Sequence, residues 1–95
     1  KKRLINYEIM YKGTNNSSLA SPKEIYNYAI KEKADALIIM HNHPSGIVSP
    51  SFEDKEFTKS MITTGKIIGI PLLDHIITNG KEYYSFFNEM ITSET

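Results

Sequence analysis

Apolar residues change their spacing several times along this chain, and each change marks an element. Residues 4–11 interleave Leu, Ile, Tyr and Met with polar side chains and stop at Gly13, the pattern of a strand. Residues 14–20 are small and polar and read as a loop. Ser21-Pro22-Lys23-Glu24 then combines three helix-start signals: a serine cap, proline at the first helical position, and glutamate three residues after the serine. Ile25, Tyr28 and Ala29 fall on one helical face, so this helix is expected to run to about Lys33. Residues 35–40 form an apolar run behind Asp35, which suggests a strand buried on both faces, with His41 and His43 at its end. Residues 42–50 hold Pro44, Gly46 and Pro50, a loop that continues neither element.

Ser51-Phe52-Glu53-Asp54 repeats the serine-x-x-acid start, and Phe57, Met61 and Thr64 carry one face of a second helix to Gly65. Residues 71–78 read as a third strand. Asn79-Gly80 is the strongest hairpin signal in the chain, and residues 81–86 return as a fourth strand rich in Tyr and Phe. Residues after Phe87 read as peripheral. The order β-α-β-α-β-β implies a single α/β domain over residues 1–95, three-layer-like, with a mixed β-sheet flanked by helices.

Composition narrows the functional classes. Ninety-five residues suffice for one core. Eleven basic and eleven acidic side chains cancel, which argues against a strongly salt-dependent nucleic-acid binder. The absence of cysteine removes disulfides and any thiolate zinc site. No apolar run is long enough to span a bilayer, and the first residues, Lys-Lys-Arg-Leu-Ile-Asn, lack the apolar core of a signal peptide. The expectation is a soluble cytoplasmic protein with no membrane partner.

The chemistry concentrates in His41-Asn42-His43-Pro44-Ser45-Gly46, followed by Ser51 and Asp54, in the order His-x-His-x7-Ser-x2-Asp. Two residues apart on a strand, side chains share a face, so both imidazoles can reach one ion. Asp54 in the first turn of the next helix can fold back beside them. Two neutral imidazole nitrogens and a carboxylate oxygen suit Zn²⁺ and leave a position open for water, whose pKa such an ion lowers from 15.7 to about 7. Ser51 can help hold a developing oxyanion. The proton shuttle should be a carboxylate that is not a ligand. Glu8 and Glu24 are the upstream candidates; Glu24 already serves the Ser21 cap, so Glu8 is preferred.

These residues, with Gly13-Thr14, Ser21-Pro22-Lys23-Glu24-Ile25 and the stretch from Gly65-Lys66 through Gly69-Ile70-Pro71-Leu72-Leu73-Asp74-His75-Ile76-Ile77, resemble the RadC family. RadC proteins are bacterial members of the JAB/MPN metalloprotease fold, whose hallmark is a glutamate upstream of this motif. The resemblance spans nearly the whole chain. It implies a cytidine-deaminase-like mixed sheet between helices, as in the JAMM deubiquitinases, and zinc on His41, His43 and Asp54. It further implies Ser51 at the oxyanion, an upstream glutamate as base, and hydrolysis of peptide or isopeptide bonds in a protein or peptide substrate. RadC proteins also carry a DNA-repair label. Full-length relatives have a helical region before this domain, and its helix-hairpin-helix signature is absent here. The usual first strand of the domain is expected to be missing too, leaving a sheet edge unpaired or filled by a second copy. A non-catalytic MPN-type interaction module and a DNA-repair accessory domain are the alternatives.

Simpler readings stand beside these. Ser51 and Asp54 also form a helix-cap pair, in which capping and ligation compete for the same carboxylate oxygens. The string His-Asn-His is not the HNH nuclease motif, whose named residues are not contiguous. Asp74-His75 lies in a strand with one side chain on each face, serving either a structural hydrogen bond or support near the metal. Tyr26, Tyr28, Tyr83, Tyr84, Phe86 and Phe87 read as packing rather than a base-stacking platform.

Overall fold

Helix α1, Pro22–Lys31, begins where its sequence says it should: the Ser21 hydroxyl accepts the Glu24 N–H at 3.2 Å, and the Glu24 carboxylate accepts the Ser21 N–H at 3.0 Å. The computed structural model describes residues 21–43 and 46–89; the strand expected at 4–11, the loop after it and Glu8 lie outside them. The helix stops short of the expected end. Lys33 adopts φ 57°, and the Lys33 and Ala34 N–H groups fold back onto the carbonyls of Ile30 (3.0 Å) and Ala29 (2.9 Å), a Schellman closure with lysine where glycine is usual. Its buried side also differs from expectation. Tyr26 and Ala29 are buried, while Ile25 and Tyr28 are only partly covered. Tyr26 counts as amphipathic in sequence, yet here its hydroxyl reaches the carbonyls of Met61 (3.1 Å) and Ile70 (3.0 Å), so its polar end is satisfied inside.

Strand β1, Leu37–Asn42, alternates rather than burying both faces as expected. Ile39 and His41 point inward; Ile38 and Met40 remain 59% and 67% exposed. A continuous apolar run is compatible with either arrangement, and no described element covers the outward side. Helix α2, Phe52–Ile68, crosses over to strand β2, Leu72–Thr78, which pairs parallel with β1. Strand β3, Tyr83–Ser85, pairs antiparallel with β2, giving a mixed sheet in the order β1-β2-β3. This α/β arrangement of a mixed sheet with helices is the one expected.

The hairpin forms at Asn79-Gly80, with Gly80 at φ 95° and the Asn79 side-chain carbonyl accepting the Lys81 and Glu82 N–H groups at 2.8 Å each. Those hydrogen bonds draw residues 81 and 82 into the turn, so β3 is shorter than the expected 81–86, and a helical turn begins at Phe86. Asp74 ties this corner together. One carboxylate oxygen accepts the N–H groups of His75 (2.7 Å) and Phe87 (3.2 Å), and the other accepts the Ser85 hydroxyl at 2.6 Å. The structural reading of Asp74 is therefore the one observed.

Tyr26, Ala29, Ile39, Met61, Ile70 and Leu72 form the core that joins both helices to the inward sheet face. Gly65 does not end α2 as expected. It lies inside the helix, buried, and the helix ends at Ile68 with Gly69 in the left-handed region at φ 90°. Among the described residues no helix is long and apolar enough to cross a membrane.

Glycine inside a helix costs about 1 kcal/mol relative to alanine, so its retention at position 65 needs a reason. A Cβ there would lie 2.5 Å from the Tyr26 hydroxyl and 2.6 Å from the Ile70 carbonyl oxygen. Both atoms are held, the hydroxyl by its one proton shared between the Met61 and Ile70 carbonyls and the oxygen by the backbone. Gly65→Ala should lower stability by about 1–3 kcal/mol despite the gain in helix propensity. Urea unfolding followed by circular dichroism measures this; an unchanged or higher midpoint would contradict it.

Candidate metal centre

Strand β1 delivers the histidines. His41 is its fifth residue and faces inward, 8% exposed. His43 follows the last strand residue, but its N–H still donates to the Thr78 carbonyl at 3.0 Å, so the extended backbone persists and returns the second imidazole to the same face. The rings meet edge to face, centroids 4.7 Å apart. The His43 Nδ1 lies 2.7 Å from the Ile47 carbonyl oxygen. A carbonyl only accepts, so Nδ1 carries the proton and Nε2 presents a lone pair.

Helix α2 delivers the carboxylate. The Ser51 hydroxyl accepts the Asp54 N–H at 3.0 Å, and Asp54 Oδ2 accepts the Ser51 N–H at 2.9 Å, a complete capping box. The same Oδ2 stands 3.1 Å from His43 Nε2, and Oδ1 stands 3.5 Å from His41 Nδ1. Capping and ligation thus do not compete as expected, because a carboxylate has about four lone-pair directions. Burial pushes the Asp54 carboxyl up, but the Ser51 hydrogen bonds and the two imidazoles outweigh it and hold the group below its ordinary value.

His41, His43 and Asp54 therefore converge: one ligand atom from each lies within 4.8 Å of the others, in a largely buried spot. The donor set fits a metal ion. Two ligands of a tetrahedral zinc stand about 3.3 Å apart; His43 Nε2 lies 3.1 Å from one Asp54 oxygen, close to that figure, and His41 Nδ1 lies 3.5 Å from the other. More tellingly, the His43 lone pair faces a carboxylate oxygen at hydrogen-bond distance. Two acceptors so placed call for a cation between them, a proton or a metal.

The other residues singled out from sequence fall around this centre unevenly. Ser51 is exposed at the helix start beside Asp54. Glu24 is engaged in the α1 capping box. Glu8 lies outside the described residues. Sequence reasoning passed over Thr58 and left His75 undecided. His75 is fully buried on β2, its ring stacked on Phe86 (centroids 4.7 Å, planes 7° apart) and also stacked beside His41 at 6.0 Å. Its Nδ1 lies 2.7 Å from the Thr58 hydroxyl. Thr58 follows Asp54 by one helical turn, and His75 shares the inward parity of Ile77; those spacings were the available signals. Burial, with lesser help from the His41 charge, holds the His75 imidazole down at about 4, against opposing pulls from Asp54 and Asp74.

Comparison with known proteins agrees with the motif. Residues 1–91 match the family described as RadC-like JAB domain. The chain is 51% identical over 79 residues to a UPF0758 protein of Clostridioides difficile, covering 83% of this chain and 34% of that protein. It is 45% identical over 89 residues to a UPF0758 protein of Staphylococcus haemolyticus, covering 94% of this chain and 39% of that protein. The chain thus spans little more than a third of the length of these curated relatives.

The buried imidazole has a consequence for stability. A histidine free to titrate near 6.5 when unfolded but held at about 4 when folded binds its proton more readily in the unfolded chain. Its contribution is present above pH 6.5 and is lost as pH falls toward 4, on the order of 3 kcal/mol in all. The depressed Asp54 carboxyl adds its own loss only below 3.8, a separate window. Urea midpoints of metal-free protein between pH 7 and 4.5 should fall steeply, and His75→Phe should flatten that slope. An equally steep slope in the variant would exclude His75 as its source.

Proposed function

Because this chain belongs to the family of RadC-like JAB domains, we propose that it is a zinc-dependent hydrolase of amide bonds, peptide or isopeptide, acting on a protein or peptide substrate. The observation that carries this reading is the convergence of His41, His43 and Asp54, with one imidazole locked so that its lone pair faces the carboxylate. Zn²⁺ held there would supply a Lewis acid and would lower the pKa of a bound water toward 7.

The chain's own residues supply the rest. Asp54 enters the site already charged, since its hydrogen bonds and neighbours favour the carboxylate. The Ile47 carbonyl fixes the His43 ring so that Nε2 cannot turn away. Ser51 sits at the N-terminus of α2, where its hydroxyl can donate to an oxygen that gains negative charge. Glu8 would take the proton from the attacking water and return it to the departing amine; it is preferred to Glu24, whose carboxylate already serves the Ser21 cap. The zero balance of charge supports a protein or peptide substrate over a nucleic acid, despite the DNA-repair label of RadC proteins.

Purified protein should contain one zinc per chain and cleave members of a peptide and isopeptide panel; His41→Ala should lose both properties. Glu8→Gln should keep its zinc yet cleave about 10²–10⁴-fold more slowly. Ser51→Ala should slow cleavage about 10²–10³-fold and destabilise the fold by about 1 kcal/mol through loss of the cap. Stoichiometric zinc with no cleavage across the panel would move the reading to a non-catalytic interaction module.

A further inference from the structure

The buried pair His75 and Thr58 is joined to the ligand set by a directed chain of hydrogen bonds. The Thr58 hydroxyl donates to the Asp54 backbone carbonyl at 2.8 Å. Its one proton is spent there, so at 2.7 Å it can only accept from His75, whose Nδ1 carries the proton. The opposite assignment would forfeit the bond to Asp54 and bury an N–H without a partner, because among the described residues His75 Nε2 has no hydrogen-bond partner. The order is therefore His75 Nδ1–H to Thr58 Oγ1–H to the Asp54 carbonyl.

This chain links strand β2 to the first turn of α2. Both of its side chains are buried, with His75 at 0% and Thr58 at 3% exposure. His75 is clamped in turn by the stacked Phe86 ring and by Phe57 edge-on at 5.7 Å, so the donor has little freedom to move. A helix start held only by its own capping box can rock about the loop that precedes it. One also tied through Thr58 to the central strand cannot. Since β1 pairs with β2, the strand that orients His75 is the strand that β1, with His41, is registered against, Ile39 lying opposite His75 and His41 opposite Ile77.

We infer that His75 and Thr58 are positioning residues, which hold the Asp54 backbone at a fixed place relative to the two histidines and so set the affinity of the metal centre. The inference rests on the metal reading above and adds a residue pair to it. A bare packing role would make His75 exchangeable for another flat apolar ring, whereas a positioning role would not.

The test is a double-mutant cycle on zinc affinity, measured by competition with a chromophoric chelator, using His75→Phe, Thr58→Val and the double variant. His75→Phe keeps a flat ring against Phe86 and removes the donor; Thr58→Val keeps the shape of the threonine and removes the hydroxyl. Each single change should weaken zinc binding about 10–100-fold, and the double variant should be no weaker than the worse single one. The d–d spectrum of the cobalt-substituted protein should shift in both. Thermal unfolding without metal identifies the variants that fold, and Thr58→Val decides the matter if His75→Phe does not. Folded variants that bind zinc as the parent does, or losses that multiply in the double variant, would overturn the relay. A parent protein that binds no zinc would overturn the metal reading itself, and this inference with it.

Discussion

The Asp54 carboxylate is the junction on which the arrangement turns. One oxygen closes the cap of α2 on the Ser51 N–H and at the same time faces His43; the other faces His41. The hydrogen bond that starts a helix is thereby the one that aims this carboxylate at the two imidazoles. Helix capping is worth about 1 kcal/mol on its own, and the orienting effect comes with it because the capping geometry admits one direction for the carboxyl group. The Ile47 carbonyl does the corresponding work for His43. Asp54 and His43 are thus each held by a backbone group of their own neighbourhood.

Much of this was legible in the chain. Serine and an acid three residues on are local signals, and both helix starts appear where those signals stand. His-x-His before a proline-containing loop likewise implies a common face, because strand parity is a local property. What the sequence concealed depends on contacts between distant elements. Tyr26 became the buried face of α1 because its hydroxyl finds carbonyls 35 and 44 residues away. Gly65 looked like a stop and proved to be a place where backbone and phenol approach too closely for a methyl group. The one-sided burial of β1 could not be foreseen from a run of Leu, Ile and Met that reads the same in either setting.

The two neighbours Asp74 and His75 show how a single strand can serve both sides of a sheet. Asp74 gathers Ser85 and the N–H of Phe87 at the corner after β3, while His75 faces the opposite way into the layer beneath α2. The Phe86 ring that stacks on His75 lies between the residues Asp74 holds. The corner therefore contributes to the interior as well as to the hairpin. Among the described residues one His75 nitrogen has no partner, which costs about 1–3 kcal/mol, stability given up for the position of the other nitrogen.

The three groups of the centre lie within fourteen consecutive positions, from His41 to Asp54. Closing so short a segment costs little chain entropy, and the cost grows only slowly with length. The parallel pairing of β1 with β2, by contrast, joins residues about 35 apart. Gathering the three groups is consequently a local act that an incompletely assembled chain can begin, while the long-range sheet pairing supplies its accuracy. A cation present during synthesis would act as a template, gathering one strand end and one helix start before the remainder of the molecule arrives.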